Sequence, residues 1–208
     1  DSTLARTTDD DSGTSVTQMT WEQVQQATID TASKGYDIND ADPDKLYVPT
    51  FREYLEICKK YGCIPFIELK DTRDDVTEDI IDMALEYFPP EKIVISSGYG
   101  NLLVYAHQYN PDVFIHKIWG SESEIATYAA MKNSKGDVFA GIAFDIQNLH
   151  VEENFNEAKR LIDMAKAAGL QTCLRGADAM LQVRKMFELG IDSYPTNLTS
   201  PQMLPQLK

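Results

Sequence analysis

The chain has 208 residues, 43% of them hydrophobic and 25% charged, and its 33 acidic and 19 basic side chains give a formal net charge of −14. This length suits one sizeable domain, and no stretch approaches the roughly 18–20 continuous apolar residues that span a bilayer. The negative charge argues against nucleic acid as a partner, but it is compatible with a small phosphorylated ligand where a local cation or metal ion offsets the repulsion.

The first fifty residues are predicted to be mostly loop. Residues 1–15 are polar and rich in turn-forming residues, and residues 34–47 are dense in Asp, Asn and Pro. Between these segments a helix begins at Thr20, where Gln23 completes a capping box, and it is predicted to run through Ala27.

A regular alternation of helix and strand begins at Thr50. Thr50 and Glu53 form a second capping box, Gly62 occupies the position of a left-handed helix cap, and residues 64–69 form a short apolar strand. Five further helix–strand pairs follow. Their predicted helices cover residues 78–87, 101–108, 122–131, 154–168 and 177–189, and their strands cover residues 93–97, 113–118, 140–144, 170–174 and 191–194.

Six strands separated by single helices predict an α/β fold with a parallel sheet, because parallel neighbours need a crossover connection. A doubly wound open sheet and an eight-stranded barrel both have this pattern. The sequence has neither a GxGxxG turn at a strand end nor a Walker-type loop, which favours the barrel. Six units are two short of closure, so we expect the first two β/α units to be missing from the chain.

In such barrels the active site forms at the carboxyl ends of the strands. The residues predicted to lie there are Glu68, Lys70, Ser96, Ser97, Lys117, Trp119, Asp145, Gln147, Arg175, Thr196 and Asn197. A parallel strand that is covered on both faces is expected to be continuously apolar. Glu68 and Lys70 depart from this expectation most clearly.

Glu68 and Lys70 share one face of their strand, while Ile67 and Leu69 point to the other, because side chains alternate along a strand. We expect the two apolar residues to pack against helices and the two charges to point into the barrel mouth. Burying a charge costs several kcal/mol unless it is paired or binds an ion. A carboxylate that holds a cation beside an ammonium that holds a phosphate would meet this condition; a simple ion pair that faces water is the alternative.

Several segments resemble the glycerophosphodiester phosphodiesterase family. They are D-S-T-L-A-R-T-T at the start, T-W-E-Q, P-T-F-R-E-Y-L and the strand I-E-L-K, in the family's order; I-V-I-S-S, A-K-A-A-G-L and G-I-D-S-Y-P-T-N fit its later elements less specifically. The resemblance covers nearly the whole chain. It implies a TIM-type (β/α)8 barrel, with residues 1–208 as a single domain, residues 1–50 as part of a small insertion and residues 51–208 as six β/α units.

The same resemblance implies metal-dependent hydrolysis of glycerophosphodiesters to glycerol 3-phosphate and an alcohol. The metal would be Ca²⁺ or Mg²⁺, Glu68 would be one of its carboxylate ligands, and Lys70 would bind the substrate near its phosphate. The partner would be a small glycerophosphodiester. Exposed strand edges of an incomplete barrel also predict self-association.

The family's His-Arg-Gly strand and Glu-x-Asp metal ligands have no counterpart in the sequence, and Asp1 resembles the second residue of the family's His-Asp step. The acid–base histidines and two of three carboxylate ligands would therefore precede Asp1. No catalytic residue is assigned within the chain, and we expect the chain alone to be close to inactive. His107 in a helix, His116 in a strand and His150 in a loop match no family catalytic position.

Near the C-terminus the family often has a Trp-Thr-Val-Asn strand end, where this chain has T-C-L-R-G. Arg175 in that segment is either an extra phosphate contact or a solvated arginine at a helix start. Cys58, Cys63 and Cys173 lack metal-ligand spacing, and we expect buried free thiols.

Two other functions stay open. The chain could be a non-catalytic member that binds a phosphorylated ligand or partner, or a phospholipase-type barrel with a different substrate. The residues before Asp1 would separate these alternatives. The start without a methionine suggests a processed or truncated chain, and no signal peptide is visible, so the compartment stays open.

Overall fold

The computed structural model of the protein describes residues 3–30, 44, 46–175 and 180–195. The chain forms two compact units, residues 1–57 and 58–208, and the boundary between them falls within the helix Phe51–Tyr61. The single domain expected over residues 1–208, with an insertion in residues 1–50, stays a prediction. No helix in the described ranges is long and apolar enough to cross a membrane.

Among its described residues, the first unit contains a one-turn helix, α1 (Trp21–Val24), a 3-10 turn at Val16–Gln18 and the start of the helix Phe51–Tyr61. The predicted capping box is confirmed: the Gln23 amide donates to the Thr20 hydroxyl at 3.3 Å, and the Thr20 amide donates to the Gln23 side-chain oxygen at 2.8 Å. The helix ends earlier than predicted, because the amide of Ala27 donates to the carbonyl of Val24 in a tighter turn.

The helix α2 (Phe51–Tyr61) begins at the second predicted capping box. The Glu53 carboxylate accepts hydrogen bonds from the Thr50 amide at 2.8 Å and from the Tyr47 hydroxyl at 2.6 Å, and these bonds hold the pKa of Glu53 below its ordinary value. Gly62 follows the helix with φ of +67°, which confirms the predicted left-handed cap.

The second unit alternates strands and helices. It contains β1 (Phe66–Glu68), α3 (Asp74–Leu85), β2 (Val94–Ser97), α4 (Gly100–Tyr109), β3 (Phe114–Lys117), α5 (Ile125–Ala129), β4 (Ala140–Phe144), α6 (Glu152–Ala167), β5 (Gln171–Leu174) and α7 (Met180–Glu188). Each predicted helix from residue 78 onward corresponds to an observed helix. Residues 177–179, where the last helix was predicted to begin, lie outside the described residues.

The strands form one parallel sheet in the order β1-β2-β3-β4-β5, so that each crossover connects immediate neighbours. This order is what successive β/α units of a barrel produce. The prediction of a sixth strand over residues 191–194 was wrong for the described part of the chain. Only an isolated parallel bridge joins Ser193 to Cys173, because Tyr194 is followed by Pro195, which has no amide hydrogen to continue a ladder.

The register of the sheet separates two faces. Ile67, Ile95 and Ile115 are direct neighbours on β1, β2 and β3, and all three are buried. Their chain neighbours Glu68 and His116 line up on the opposite face. Ile67 and Leu69 are buried as predicted, so the apolar half of the β1 pattern is confirmed.

The three cysteines are free thiols, but the expectation that all are buried was wrong. Cys58 and Cys173 are buried, whereas Cys63 is exposed. Cys63 follows the left-handed residue Gly62 and precedes the strand, which begins only at Phe66. It therefore lies in a connecting segment and not in the sheet.

Candidate active site

A cavity of about 450 Å³ opens on the sheet face that carries Glu68. Its volume falls within the roughly 300–1,000 Å³ of small-molecule sites. Alternate residues of successive strands and their ends contribute to it, as the two-residue period of a strand requires. The lining residues are Phe66 and Glu68 from β1, His116 and Ile118 from β3, Ala143 from β4, Cys173 and Arg175 from β5, and Ser193, Tyr194 and Pro195 beyond α7.

Glu68 ends β1 and lines the cavity, and its carboxylate forms an ion pair with the ammonium of Lys70. The side chains are 38% and 45% exposed, respectively. The structure thus brings the two predicted site residues together. An ion pair as exposed as this contributes less than about 1 kcal/mol, so a cation at Glu68 and an anion at Lys70 could replace it at little cost.

The described residues provide part of a metal site only. Glu68 offers the carboxylate oxygens that Ca²⁺ and Mg²⁺ prefer, but both ions need about six or more oxygen ligands. Within the described ranges, no group of three or more His, Cys, Asp or Glu side chains is placed to hold a metal ion. Glu68 therefore fits as one ligand and does not form a site by itself.

His116 lies in the cavity wall and is only 5% exposed. Its Nδ1 is 3.1 Å from the Ser96 hydroxyl, its ring makes an edge contact with Phe66, and its Nε2 has no hydrogen-bond partner. Burial lowers the pKa of His116 from its ordinary 6.5 to about 4. The imidazole is therefore neutral at neutral pH and can bind a ligand atom, but it has no proton to give up as an imidazolium.

Arg175 follows β5 and also lines the cavity. Its guanidinium carbon lies 4.7 Å from the centroid of the Trp119 ring, which is cation–π distance. The side chain is half-buried and keeps part of its surface in solvent. The choice between a phosphate contact and a solvated arginine stays open.

The other predicted strand-end residues have structural contacts. Ser97 donates to the Leu69 carbonyl at 2.8 Å. Lys117 is buried and donates to the Gly98 and Ile118 carbonyls at 2.9 Å each. Asp145 is exposed and accepts a 2.6 Å hydrogen bond from the side-chain amide of Gln147. Thr196 and Asn197 lie outside the described residues.

The position of His116 in the cavity wall was not predicted from the sequence. The signal was available: His116 is a polar residue inside the otherwise apolar start of β3, and it is in register with Glu68 through Ser96. The contact between Arg175 and Trp119 was not predicted either, for a different reason. This contact joins the ends of β3 and β5, and no spacing along the chain predicts it.

Comparison with known proteins identifies the family. Residues 1–198 match the model of the glycerophosphoryl diester phosphodiesterase family. The chain belongs to this family. The resemblance of its sequence segments is thereby confirmed, and so is its enzyme class, the phosphoric diester hydrolases that act on glycerophosphodiesters.

Solved structures agree with this membership of the glycerophosphoryl diester phosphodiesterase family. An Oleispira antarctica phosphodiesterase in complex with the product sn-glycerol-3-phosphate is 18% identical, with a TM-score of 0.71 over 100% of this chain and 76% of that one. Glycerophosphodiester phosphodiesterases from Parabacteroides distasonis (14% identity, TM-score 0.68, 95% and 74% covered) and Agrobacterium tumefaciens (18%, 0.63, 95% and 75%) have the same fold. No curated protein matches the chain.

These likenesses settle the fold class. Members of the glycerophosphoryl diester phosphodiesterase family are TIM barrels, and the five-stranded parallel sheet with its intervening helices is consistent with that architecture. Members are also generally metal-dependent, in accordance with a carboxylate at the end of β1. That the first two β/α units are missing stays a prediction.

Proposed function

We propose that this protein hydrolyses glycerophosphodiesters to glycerol 3-phosphate and an alcohol, with Glu68 and Lys70 in its active site. The observation that carries the proposal is Glu68, which lines the cavity and pairs with Lys70, in a chain of the glycerophosphoryl diester phosphodiesterase family. The product-bound relative supports a glycerol 3-phosphate product.

Glu68 supplies one oxygen ligand to Ca²⁺ or Mg²⁺, together with ligands beyond the described residues. The ion's contribution is to neutralise charge on the phosphoryl oxygens. Lys70 binds a phosphoryl oxygen with its ammonium and stabilises the negative charge that develops on it. In the structure the two side chains pair with each other, so each one gives up this partner when it binds its ligand.

Proton transfer at neutral pH needs a general acid, and no histidine among the described residues that line the cavity can serve as one. His107, His116 and His150 are all described, and His116 alone lines the cavity. With a pKa of about 4, His116 is no general acid at neutral pH. General acid–base catalysis typically contributes about 10²–10⁴-fold, so we expect the 208-residue chain alone to be slower than an intact family member by at least that factor.

Release of glycerol 3-phosphate from glycerophosphodiesters tests the function. We expect the full-length product of the gene to turn over the substrate with added Ca²⁺ or Mg²⁺ and to lose activity with chelator, and the 208-residue chain to be close to inactive. Robust turnover by the 208-residue chain would overturn the assignment of catalysis to groups outside it.

Two other outcomes have a defined meaning. Binding of glycerol 3-phosphate without turnover, even by the full-length gene product, would identify a non-catalytic phospho-ligand binder. Turnover of an intact phospholipid but not of a glycerophosphodiester would identify a phospholipase-type substrate. Either result would contradict the proposed reaction while leaving the fold unaffected.

Two structural proposals accompany the function. Residues 1–50 form part of an insertion that borders the substrate, which predicts that removing them raises KM more than it lowers the Tm of the remaining unit.

The sheet edges associate with another copy of the chain, which predicts a sedimentation coefficient that rises with protein concentration. A concentration-independent monomer would contradict self-association.

A further inference from the structure

Arg175 is a cation that lines the cavity of a strongly acidic protein. Acidic side chains outnumber basic ones by 33 to 19, and Arg73 and Arg160 both form ion pairs with carboxylates. Within the described part of the chain the Arg175 guanidinium forms no ion pair with a carboxylate. It makes a cation–π contact with the Trp119 ring. A guanidinium that lines a cavity in this state is available to an anion.

Two features restrict the position of the Trp119 ring: its backbone conformation and its contact with Gly98. Trp119 has φ of +54°, a left-handed conformation that is uncommon for a bulky residue and costs of the order of 1 kcal/mol or more. A Cβ atom built on Gly98 would lie 2.6 Å from two atoms of the indole ring, so the ring packs directly on the glycine backbone. Trp119 is thus a rigid support on which the Arg175 guanidinium stacks.

Stacking restricts where the guanidinium can bind a ligand. The guanidinium carbon of Arg175 lies over the Trp119 ring, and a guanidinium held in this way keeps N–H groups that match the two oxygens of a carboxylate or phosphate in a bidentate pair. The same contact occupies the Trp119 ring with a cation. A quaternary ammonium such as choline would otherwise use an aromatic face of this kind.

Arg175 lies apart from the ion pair of Glu68 and Lys70. Glu68 ends β1 at one edge of the five-stranded sheet, and Arg175 follows β5 at the other edge, yet both line the same cavity. A phosphodiester has two alcohol substituents that extend from its phosphate in different directions. With the phosphate at Lys70, binding at Arg175 requires that one of these substituents extends across the cavity.

We propose that Arg175 is a specificity-determining residue that binds an anionic group on the alcohol part of the substrate, and that Trp119 positions it. The favoured substrates are then glycerophosphodiesters whose alcohol carries a carboxylate or a further phosphate. Choline and ethanolamine diesters are disfavoured. This inference rests on the proposed function and names the substrate class of that site.

Glycerophosphoserine and glycerophosphoethanolamine test the inference, because they differ by one carboxylate. Their Kd values are measured by calorimetry on the full-length gene product with Ca²⁺, for the native protein and for Arg175→Gln. We expect the native protein to bind the serine diester roughly ten- to a hundredfold more tightly, as charge-assisted hydrogen bonds to a carboxylate do. Arg175→Gln abolishes this preference by weakening binding of the serine diester.

Three further variants control the measurement. Arg184→Gln removes an exposed arginine of α7 that does not line the cavity, and it keeps the preference. Arg175→Lys keeps the positive charge but lacks the paired N–H groups of a guanidinium, so its preference for the serine diester is reduced. Trp119→Leu reduces the ratio of the two Kd values, which a loss of stability alone would not change. A thermal unfolding curve for each variant confirms that it is folded.

The other outcomes separate the two proposals. Equal affinity of the native protein for both diesters overturns the inference and leaves the proposed function intact. An equal loss for both diesters in Arg175→Gln places Arg175 on the shared phosphate and also overturns it. Binding of neither diester, and no binding of glycerol 3-phosphate, overturns the proposed function and the inference with it. The same comparison, made with a diester whose alcohol carries a phosphate in place of the carboxylate, shows whether Arg175 also binds a phosphate.

Discussion

At the residue scale, the protein places polar groups with different surroundings in one cavity. Glu68 and Lys70 are partly exposed and paired with each other, whereas His116 is buried and has an unpaired Nε2. The exposed pair can exchange partners with ions from solvent. The buried imidazole stays neutral, so it can orient a ligand without adding charge to the site.

The stability of the protein should depend on pH through His116. Its folded pKa of about 4 lies below the ordinary 6.5, so between these values the unfolded chain binds a proton that the folded chain does not. This group has no effect on stability above pH 6.5, and it lowers the free energy of unfolding by roughly 3 kcal/mol as the pH falls to 4. Urea unfolding of the native protein across this range measures the loss.

His116→Asn should remove most of that pH dependence, whatever its effect on stability at neutral pH. His150→Asn is the matched control, because His150 is exposed in a loop, and it should keep the native slope. Paired carboxylates such as Glu53 and Asp71, whose pKa values are lowered by hydrogen bonds, add their own acid sensitivity at lower pH. An unchanged slope in His116→Asn would show that the imidazole is not held neutral in the folded state.

The charge pair was predictable from sequence, because two charges in an apolar strand share a face by the two-residue period alone. Their ion pair and the burial of Ile67 and Leu69 agree with that prediction. The roles of Glu68 as metal ligand and Lys70 as phosphate contact stay predictions. Arg175 could not be assigned in this way, since its position depends on Trp119, which lies 56 residues earlier in the chain.

At the element scale, helix ends were predicted better than strand ends. The capping boxes at Thr20 and Thr50 and the left-handed Gly62 are local features, and a few neighbouring residues determine each of them. Strand ends depend on pairing with a neighbour. Residues 191–194 were predicted as a strand from their place after the last helix, but they include the polar Asp192 and Ser193 and form only the single bridge at Ser193.

Gly62→Ala should destabilise the end of α2. A Cβ at this position meets no other atom within 4 Å, so the cost comes from the backbone alone. The left-handed conformation at φ of +67° costs a residue with a side chain about 1–2 kcal/mol. Chemical denaturation measures this difference in the free energy of unfolding.

Lys60→Ala is the matched control, because Lys60 is exposed in the same helix and has ordinary helical geometry. We expect its effect to stay within about 0.5 kcal/mol. Equal effects of the two substitutions would mean that the cap at Gly62 does not contribute to stability.

At the whole-molecule scale, the alternation of helices and strands predicted the α/β class, and the absence of nucleotide-binding turns favoured the barrel over the open sheet. Sheet order and family membership agree with the barrel. The sequence pattern could not show where the sheet closes, because closure depends on partners far apart in the chain. The same limit applies to the metal site, for which the described residues supply one carboxylate.

The account depends on Glu68 and Lys70 acting together on a cation and a phosphate. Calorimetric titration of the full-length gene product with sn-glycerol 3-phosphate, with and without Ca²⁺, tests this directly. We predict Ca²⁺-dependent binding. Glu68→Gln should raise the Ca²⁺ concentration that binding requires, Lys70→Gln should weaken binding by at least about tenfold, and Asp145→Asn, at an exposed position, should leave it unchanged. Native affinity and native Ca²⁺ dependence in both Glu68→Gln and Lys70→Gln would contradict the account.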